Sequence, residues 1–306
     1  LYLNFLSDYR ILITNMQGIL FIGGGNMSSA IINGLISSKT YQPTDIYVVD
    51  PVQQQLDKLA STNPTINTAT AATKTILGKV TIVVLGVKPN LVPTVLKTIS
   101  PSLDPAAHII VSICAGIPTQ TINNLITQNA HPSIPPPSSP QQLPSVVEIP
   151  VIRVMPNTPS LVQAGASGIC KGAFATDAHI QIVNKVMSAV GLVVVVNESD
   201  MDAVTGVSGS GPAYVMMFIE ALTAGGVAAG LTYPVSYQLA LETVFGTAKM
   251  LKETNQHPAV LREQICSPGG TTITGLKALH EKNFNAAVIQ CVIEATNRGT
   301  YLAAKL

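Results

Sequence analysis

Residues Ile19 to Ser28 read Ile-Leu-Phe-Ile-Gly-Gly-Gly-Asn-Met-Ser. Four apolar residues run into G-x-G-x-x-S, the spacing of a strand-to-helix turn that holds a dinucleotide pyrophosphate. Gly23 permits the tight turn, and Gly25 lets phosphate come close to the backbone. The helix expected over Ser29–Ser37 then offers free N–H groups. Asn26 and Met27 complete the loop, and Ser28 replaces a third glycine while staying small enough for helix–strand packing. Asp50 closes the second apolar run, 25 residues after Gly25. A carboxylate there can accept hydrogen bonds from ribose hydroxyls and repel a 2′-phosphate, which favours NADH. An aspartate before proline is also an ordinary turn opener, so NADPH and NADH both stay open.

Two further apolar runs end in Gly86-Val87-Lys88-Pro89-Asn90 and Ser112-Ile113-Cys114-Ala115-Gly116. Ligands of doubly wound folds lie across the carboxyl ends of the strands, which places Val87, Lys88, Pro89 and Ala115 beside a cofactor cleft. Lys88 can neutralise phosphate there or simply face solvent. Asn157, in the turn Met155 to Pro159, carries an amide suited to a nicotinamide carboxamide. Later in the chain, Ser208 to Tyr214 and Ser267 to Thr272 each join small and hydroxyl residues to a helix start. Such a start can hold a carboxylate on backbone N–H groups, and it is also what a plain helix cap looks like. Two of them in one helical region favour a small anionic substrate.

The sequence holds no serine nucleophile elbow, no H-E-x-x-H and no kinase lysine–aspartate set. Cys114, Cys170, Cys266 and Cys291 are widely spaced without a C-x-x-C pair, so no metal site is expected. His108, His131, His179, His257 and His280 all fall outside the glycine and proline motifs, which leaves no evident general base. Alcohol oxidation needs such a base. Reduction of a cyclic imine needs less, because a protonated iminium can accept hydride directly.

These residues need elements to hold them. Ile19–Gly23, Ile46–Asp50, Val80–Val87 and His108–Ile113 are short apolar runs alternating with helical stretches, the pattern of βαβ units and a parallel sheet. Val151–Met155, Ser167–Cys170 and Gly191–Val196 add strands around a helix near Ala178–Val190. The expected fold class is α/β: a Rossmann-type doubly wound sheet over residues 1–197, followed by an all-helical domain over 198–306. That second domain carries helical periodicity at Tyr214–Ala229, Val235–Lys252, His257–Ile265, Thr272–Glu281 and Ala286–Ala304. Residues 1–15 read as an extension, with Met16 a candidate start. Residues 131–150 include seven prolines in twenty residues and read as a surface loop.

Of 306 residues only 17 are basic and 16 acidic, 11% in all, against about 25% in ordinary soluble domains. A net charge of +1 gives no field for nucleic acid. So little charge, with a helix apolar on every face from Tyr214 to Ile219, points to surface covered by a second subunit. The longest apolar runs, such as Val80–Val87 and Val190–Val196, are strand-sized, so no membrane span is expected. The cysteine usage fits a reducing, cytoplasmic setting.

Taken in order, Phe21 to Met27 (FIGGGNM), Val87 to Pro89 (VKP), Arg153 to Pro159 (RVMPNTP), Ser208 to Tyr214 (SGSGPAY) and Ser267 to Thr272 (SPGGTT) resemble the pyrroline-5-carboxylate reductase family over residues 17–305. The resemblance implies a Rossmann domain and a helical domain that forms a homodimer or a larger ring of dimers. It also implies reduction of L-1-pyrroline-5-carboxylate to L-proline by NADPH or NADH. Carried over by motif, Gly23, Gly25, Asn26 and Met27 would hold pyrophosphate, with Lys88, Pro89, Ala115 and Asn157 along the cofactor cleft. Ser267, Gly269, Gly270 and Thr271 would bind substrate carboxylate, and Thr272 would stand by the ring nitrogen as the catalytic residue. Two departures stand out: the proline-rich stretch, and Asn255 where some relatives carry a glutamate. Two other readings compete. A β-hydroxyacid dehydrogenase would need a lysine that residues 209–230 lack, and a non-catalytic dinucleotide sensor would be expected to have a defective substrate loop.

Overall fold

The structure, a computed structural model, describes residues 18–130 and 146–303. The 1–15 extension, Met16, and residues 131–145 of the proline-rich stretch lie outside them. The described residues form two compact units, one of those up to Gly209 together with 296–303, the other of Ser210–Ala295.

The first unit runs β1 (Gly18–Ile22), α1 (Asn26–Ser37), β2 (Ile46–Val49), α2 (Gln53–Thr62), β3 (Asn67–Ala69), α3 (Lys74–Leu77) and β4 (Val80–Leu85). It continues with α4 (Val92–Ile99), β5 (Ile109–Ser112), α5 (Thr119–Ala130), β6 (Val151–Met155), β7 (Gly165–Lys171), α6 (Asp177–Met187), β8 (Gly191–Val195) and α7 (Met201–Val204). All eight strands form one sheet in the order β3-β2-β1-β4-β5-β6-β7-β8. The chain leaves β1 toward β2 and β3, then returns to β4 on its other side. That reversal opens a crevice at the carboxyl ends of β1 and β4.

The period of two along each strand sorts apolar residues onto two faces. Ile19 and Phe21 of β1 join Ile31, Ile32 and Leu35 of α1 and Val183 of α6. Leu20 and Ile22 join Val92 and Leu96 of α4 and Ile122 and Ile126 of α5. Each such side chain contributes about 1.5–3 kcal/mol on burial. Helices therefore cover both faces, the doubly wound arrangement expected from near-continuous apolar strands.

Three features differ from the sequence reading. β3 is Asn-Thr-Ala, too short and polar to show as a strand. β1 to β6 are parallel, but β7 runs antiparallel to β6 and carries β8 with it. The expectation that nothing is long enough to span a membrane is corrected: Glu198–Ala228 is a 31-residue helical stretch that passes by length and composition, with 6% of its most apolar window buried. Weighing only short apolar runs missed it, because a helix carries isolated polar residues without losing its apolar character.

The second unit contains α8 (Gly211–Ala228), α9 (Tyr233–Thr254), α10 (Pro258–Gln264) and α11 (Thr271–Glu281), then the start of α12 (Phe284–Ala303). α8 and α9 meet where Ser236 Oγ donates to the Thr223 carbonyl at 2.7 Å. A side chain at Gly226 would overlap Ser236 Oγ, so the glycine is what lets these helices approach.

Candidate active site

The turn after β1 is stitched to both neighbouring strands. Gly23 has φ +102°, and a Cβ there would stand 2.5 Å from the Gly86 carbonyl oxygen after β4. Its N–H donates to the Val49 carbonyl of β2 at 2.7 Å. Gly25 then caps α1 in extended conformation, and a Cβ on it would meet nothing within 4 Å. No side chain caps α1 and its first turn has no acidic residue, so the N–H groups and the positive end of the helix dipole face open space. Exposed Asn26 opens the helix, whereas Met27 packs against the core. Ser28 is buried, its Oγ has no hydrogen-bond partner, and a side chain at Gly86 would overlap it. The small residue that close helix–strand packing requires is thus supplied from the strand side as well.

Asp50 is fixed at both oxygens. Oδ2 accepts from the Gly24 N–H at 2.8 Å and Oδ1 from the Val52 N–H at 2.9 Å. The carboxylate therefore braces the glycine turn as well as opening its own. A cavity of about 780 Å³ lies at these strand ends and brings together Gly23, Gly25, Asp50, Val87 and Lys88. Asn26, Met27, Pro89, Ala115 and Asn157 do not line it. Beneath it the Cys114 thiol donates to the carbonyls of Leu85 and Val87 at 3.3 and 3.2 Å. Burial pushes that thiol's pKa up to about 11.

The Asn157 amide is anchored to the protein at both ends. Nδ2 donates to the Ser208 carbonyl at 3.0 Å, and Oδ1 accepts from the Ala166 N–H at 2.9 Å. The reason is visible four residues beyond Ser208, where Pro212 has no N–H to return to that carbonyl. Residues Thr205–Gly209 form a π-helical turn just there. Asn157 thus positions the SGSGP motif.

One buried network escaped the sequence reading. The Arg153 side chain, 6% exposed, meets Glu198 at 3.6 Å and Asp202 at 3.5 Å. Glu198 also accepts from the backbone N–H of Thr119 at 2.7 Å and from its hydroxyl at 2.5 Å. Asp202 accepts from the Thr300 hydroxyl at 2.9 Å. The available signal was a lone arginine inside the apolar strand Val-Ile-Arg-Val-Met, which can be buried only with a carboxylate partner.

In the second unit, Ser267 to Gly270 form a turn with proline second, Gly269 third at φ +66°, and a Gly270 N–H to Ser267 carbonyl bond of 3.0 Å. That is the type II pattern, which demands glycine at its third position. Gly270 then caps α11 without a side-chain bond, leaving the N–H groups of Thr271 and Thr272 at an uncapped helix start. Thr274 turns inward to the Gly270 carbonyl at 3.0 Å. Three of the histidines have structural work instead. His108 Nδ1 accepts from the Asp104 N–H at 2.8 Å, so its Nε2 donates to the Leu77 carbonyl at 3.0 Å. His179 closes the capping box of α6 with Thr176, and His257 caps α10.

Comparison with known proteins adds a second line. Residues 198–302 match the family described as pyrroline-5-carboxylate reductase dimerisation, and residues 18–116 match NADP oxidoreductase, coenzyme F420-dependent. The pyrroline-5-carboxylate reductase of Synechocystis sp. is 38% identical over 289 residues, 93% of this chain and 97% of that one. The chain belongs to the pyrroline-5-carboxylate reductase family. Among solved structures, the family member from Coxiella burnetii superposes with TM-score 0.82 at 31% identity, covering 94% of this chain and 98% of that one. The Plasmodium falciparum pyrroline carboxylate reductase, solved with NADP bound, matches with TM-score 0.77 at 28% identity, again over 94% and 98%. The dehydrogenase alternative has no support in α8, which contains no lysine.

Proposed function

We propose that the protein reduces L-1-pyrroline-5-carboxylate to L-proline with NADPH or NADH. The observation that carries this reading is that the chain builds both anion cradles such a reaction needs. One is the uncapped start of α1 behind Gly25, the other the uncapped start of α11 behind Gly270. The fit of a dinucleotide rests on the open space at Gly25 and on the cavity beside it. When bound, the nicotinamide supplies hydride.

The chain's own residues do the rest. Gly23, Gly25 and the first N–H groups of α1 receive the pyrophosphate, Asp50 faces the adenosine ribose, and Val87 and Lys88 wall the cleft. Pro89 and Ala115 hold the neighbouring strand-end turns in shape, and Asn157 acts by fixing the Ser208 carbonyl. Ser267, Gly269, Gly270 and Thr271 orient the substrate carboxylate, and the Thr272 hydroxyl orients the ring nitrogen. The substrate arrives as the protonated iminium, so hydride addition to carbon yields the amine without a protein base. Residues 198–306 serve as the helical substrate and dimerisation domain behind a dinucleotide domain over 1–197. The apolar stretch Glu198–Ala228 is read as a face covered by a second copy, in a homodimer or a ring of dimers, rather than by a bilayer. Four free cysteines support a reducing, cytoplasmic setting.

The test is consumption of NADH and NADPH with racemic substrate, scoring L-proline. Proline formed in step with cofactor oxidation is the expected result, and cofactor binding without proline would leave a sensor. Thr272→Ala should lower turnover about tenfold, roughly 1.4 kcal/mol, with nicotinamide binding unchanged. Unchanged turnover at saturating substrate would remove Thr272 from the mechanism.

A further inference from the structure

We propose that Asp50 makes this chain discriminate against a 2′-phosphate, so that NADH binds more tightly than NADPH. The inference rests on the dinucleotide reading above and deepens it. Three observations carry it.

The carboxylate is held in place. Its oxygens accept from the Gly24 and Val52 N–H groups at 2.8 and 2.9 Å, and each retains a lone pair for a ribose hydroxyl. To make room for a phosphate it would have to swing away, leaving both N–H groups without partners. A mobile surface aspartate could yield; this one is anchored to the turn that receives the pyrophosphate.

The cavity wall beside Asp50 contributes no cation to offset the repulsion. Around Asp50 the cavity is lined by Pro51, Val52 and Gln55, all uncharged. Among the described lining residues Lys88 is the only basic one. Sheet order sets it apart: Asp50 follows β2 and Lys88 follows β4, and β1 lies between those strands. Two strand spacings amount to roughly 9–10 Å. The backbone at Lys88 therefore leaves the sheet on the far side of β1 from Asp50.

The chemistry is like-charge repulsion. A 2′-phosphate set against a fixed carboxylate at this partly exposed cleft meets a repulsion that salt can screen, whereas a free 2′-hydroxyl gains a charge-assisted hydrogen bond.

The test is equilibrium binding of NADH and NADPH to the full-length protein by calorimetry, without substrate, so that turnover plays no part. NADH should bind at least about tenfold more tightly, and the ratio should shrink as salt is raised. Asp50→Asn should narrow the gap chiefly by improving NADPH. Because that variant could loosen the glycine turn, Val52→Arg is the companion: it leaves Asp50 in place, adds a cation at an exposed position, and should also improve NADPH. Equal or tighter NADPH binding by the native chain would overturn the proposal. Binding of neither nucleotide would be a different failure, bringing down the dinucleotide reading and this inference with it.

Discussion

The two units bury their apolar residues very differently. In the first, the central strands are enclosed on both faces, and Ile19, Leu20 and Phe21 have no exposed surface. In the second, Ala240 and Leu261 are the only buried hydrophobics among the described residues, while Met217, Phe245 and Ile289 are 73%, 61% and 60% exposed. Length and helical propensity are therefore not what complete a unit. The sheet sandwiched between helix layers finishes its own core, whereas the helices of the second unit leave large apolar side chains uncovered. The second unit leaves an apolar surface uncovered, and it falls within the residues that match a family described by its dimerisation.

The sharpest way to break this contrast is Met217→Asp. On a surface that stays in water the change would cost almost nothing. On a face covered by a partner it buries an unpaired carboxylate, a cost of several kcal/mol, on the order of what holds a dimer together. Dimer should give way to monomer in size-exclusion chromatography, with activity falling to background. An unchanged dimer would mean that α8 faces something else.

The first unit is expected to fail through its buried charges. Arg153→Met leaves Glu198 and Asp202 without their cation and should cost about 3 kcal/mol, the low end for a broken buried pair because both carboxylates retain some exposure. Urea unfolding would read this as a lower midpoint with an unchanged slope. No shift in midpoint would show that Glu198 is held by Thr119 alone.

A smaller effect sharpens the contrast through pH. Burial pushes Cys114 and Cys170, both in the first unit, up to about 11 and about 12 from the usual 9.0. Both thiols hold their proton more tightly folded than unfolded. The stability this lends is complete below about pH 9 and is lost as pH rises through about 11 to 12. Thermal unfolding across that range should show the decline, and Cys114→Ala with Cys170→Ala should flatten it. An equal decline in the double variant would assign it to other groups.

Much of this was legible in the chain. Ile-Leu-Phe-Ile-Gly-Gly-Gly announces strand, turn and helix because each glycine answers a local backbone demand, and the apolar strands declare a sheet covered on both faces. What could not be read lies in contacts between distant residues. The bond from Gly24 to Asp50 spans 26 positions, that from Thr119 to Glu198 79. The bond from Asn157 to the carbonyl that Pro212 leaves free spans 51 positions. β3 was hidden by polar residues, and the reversal at β7 leaves no mark in composition. The Ser267 to Gly270 turn was legible because proline followed by two glycines fixes its own geometry.

The central claim, that one unit completes itself and the other requires a second copy, is tested most directly by sedimentation equilibrium of the full chain over a wide dilution range. The account predicts a dimer or a multiple of dimers at every concentration where the protein remains folded, with dissociation and loss of helical signal occurring together. A folded monomer that keeps its helical signal on dilution would contradict it.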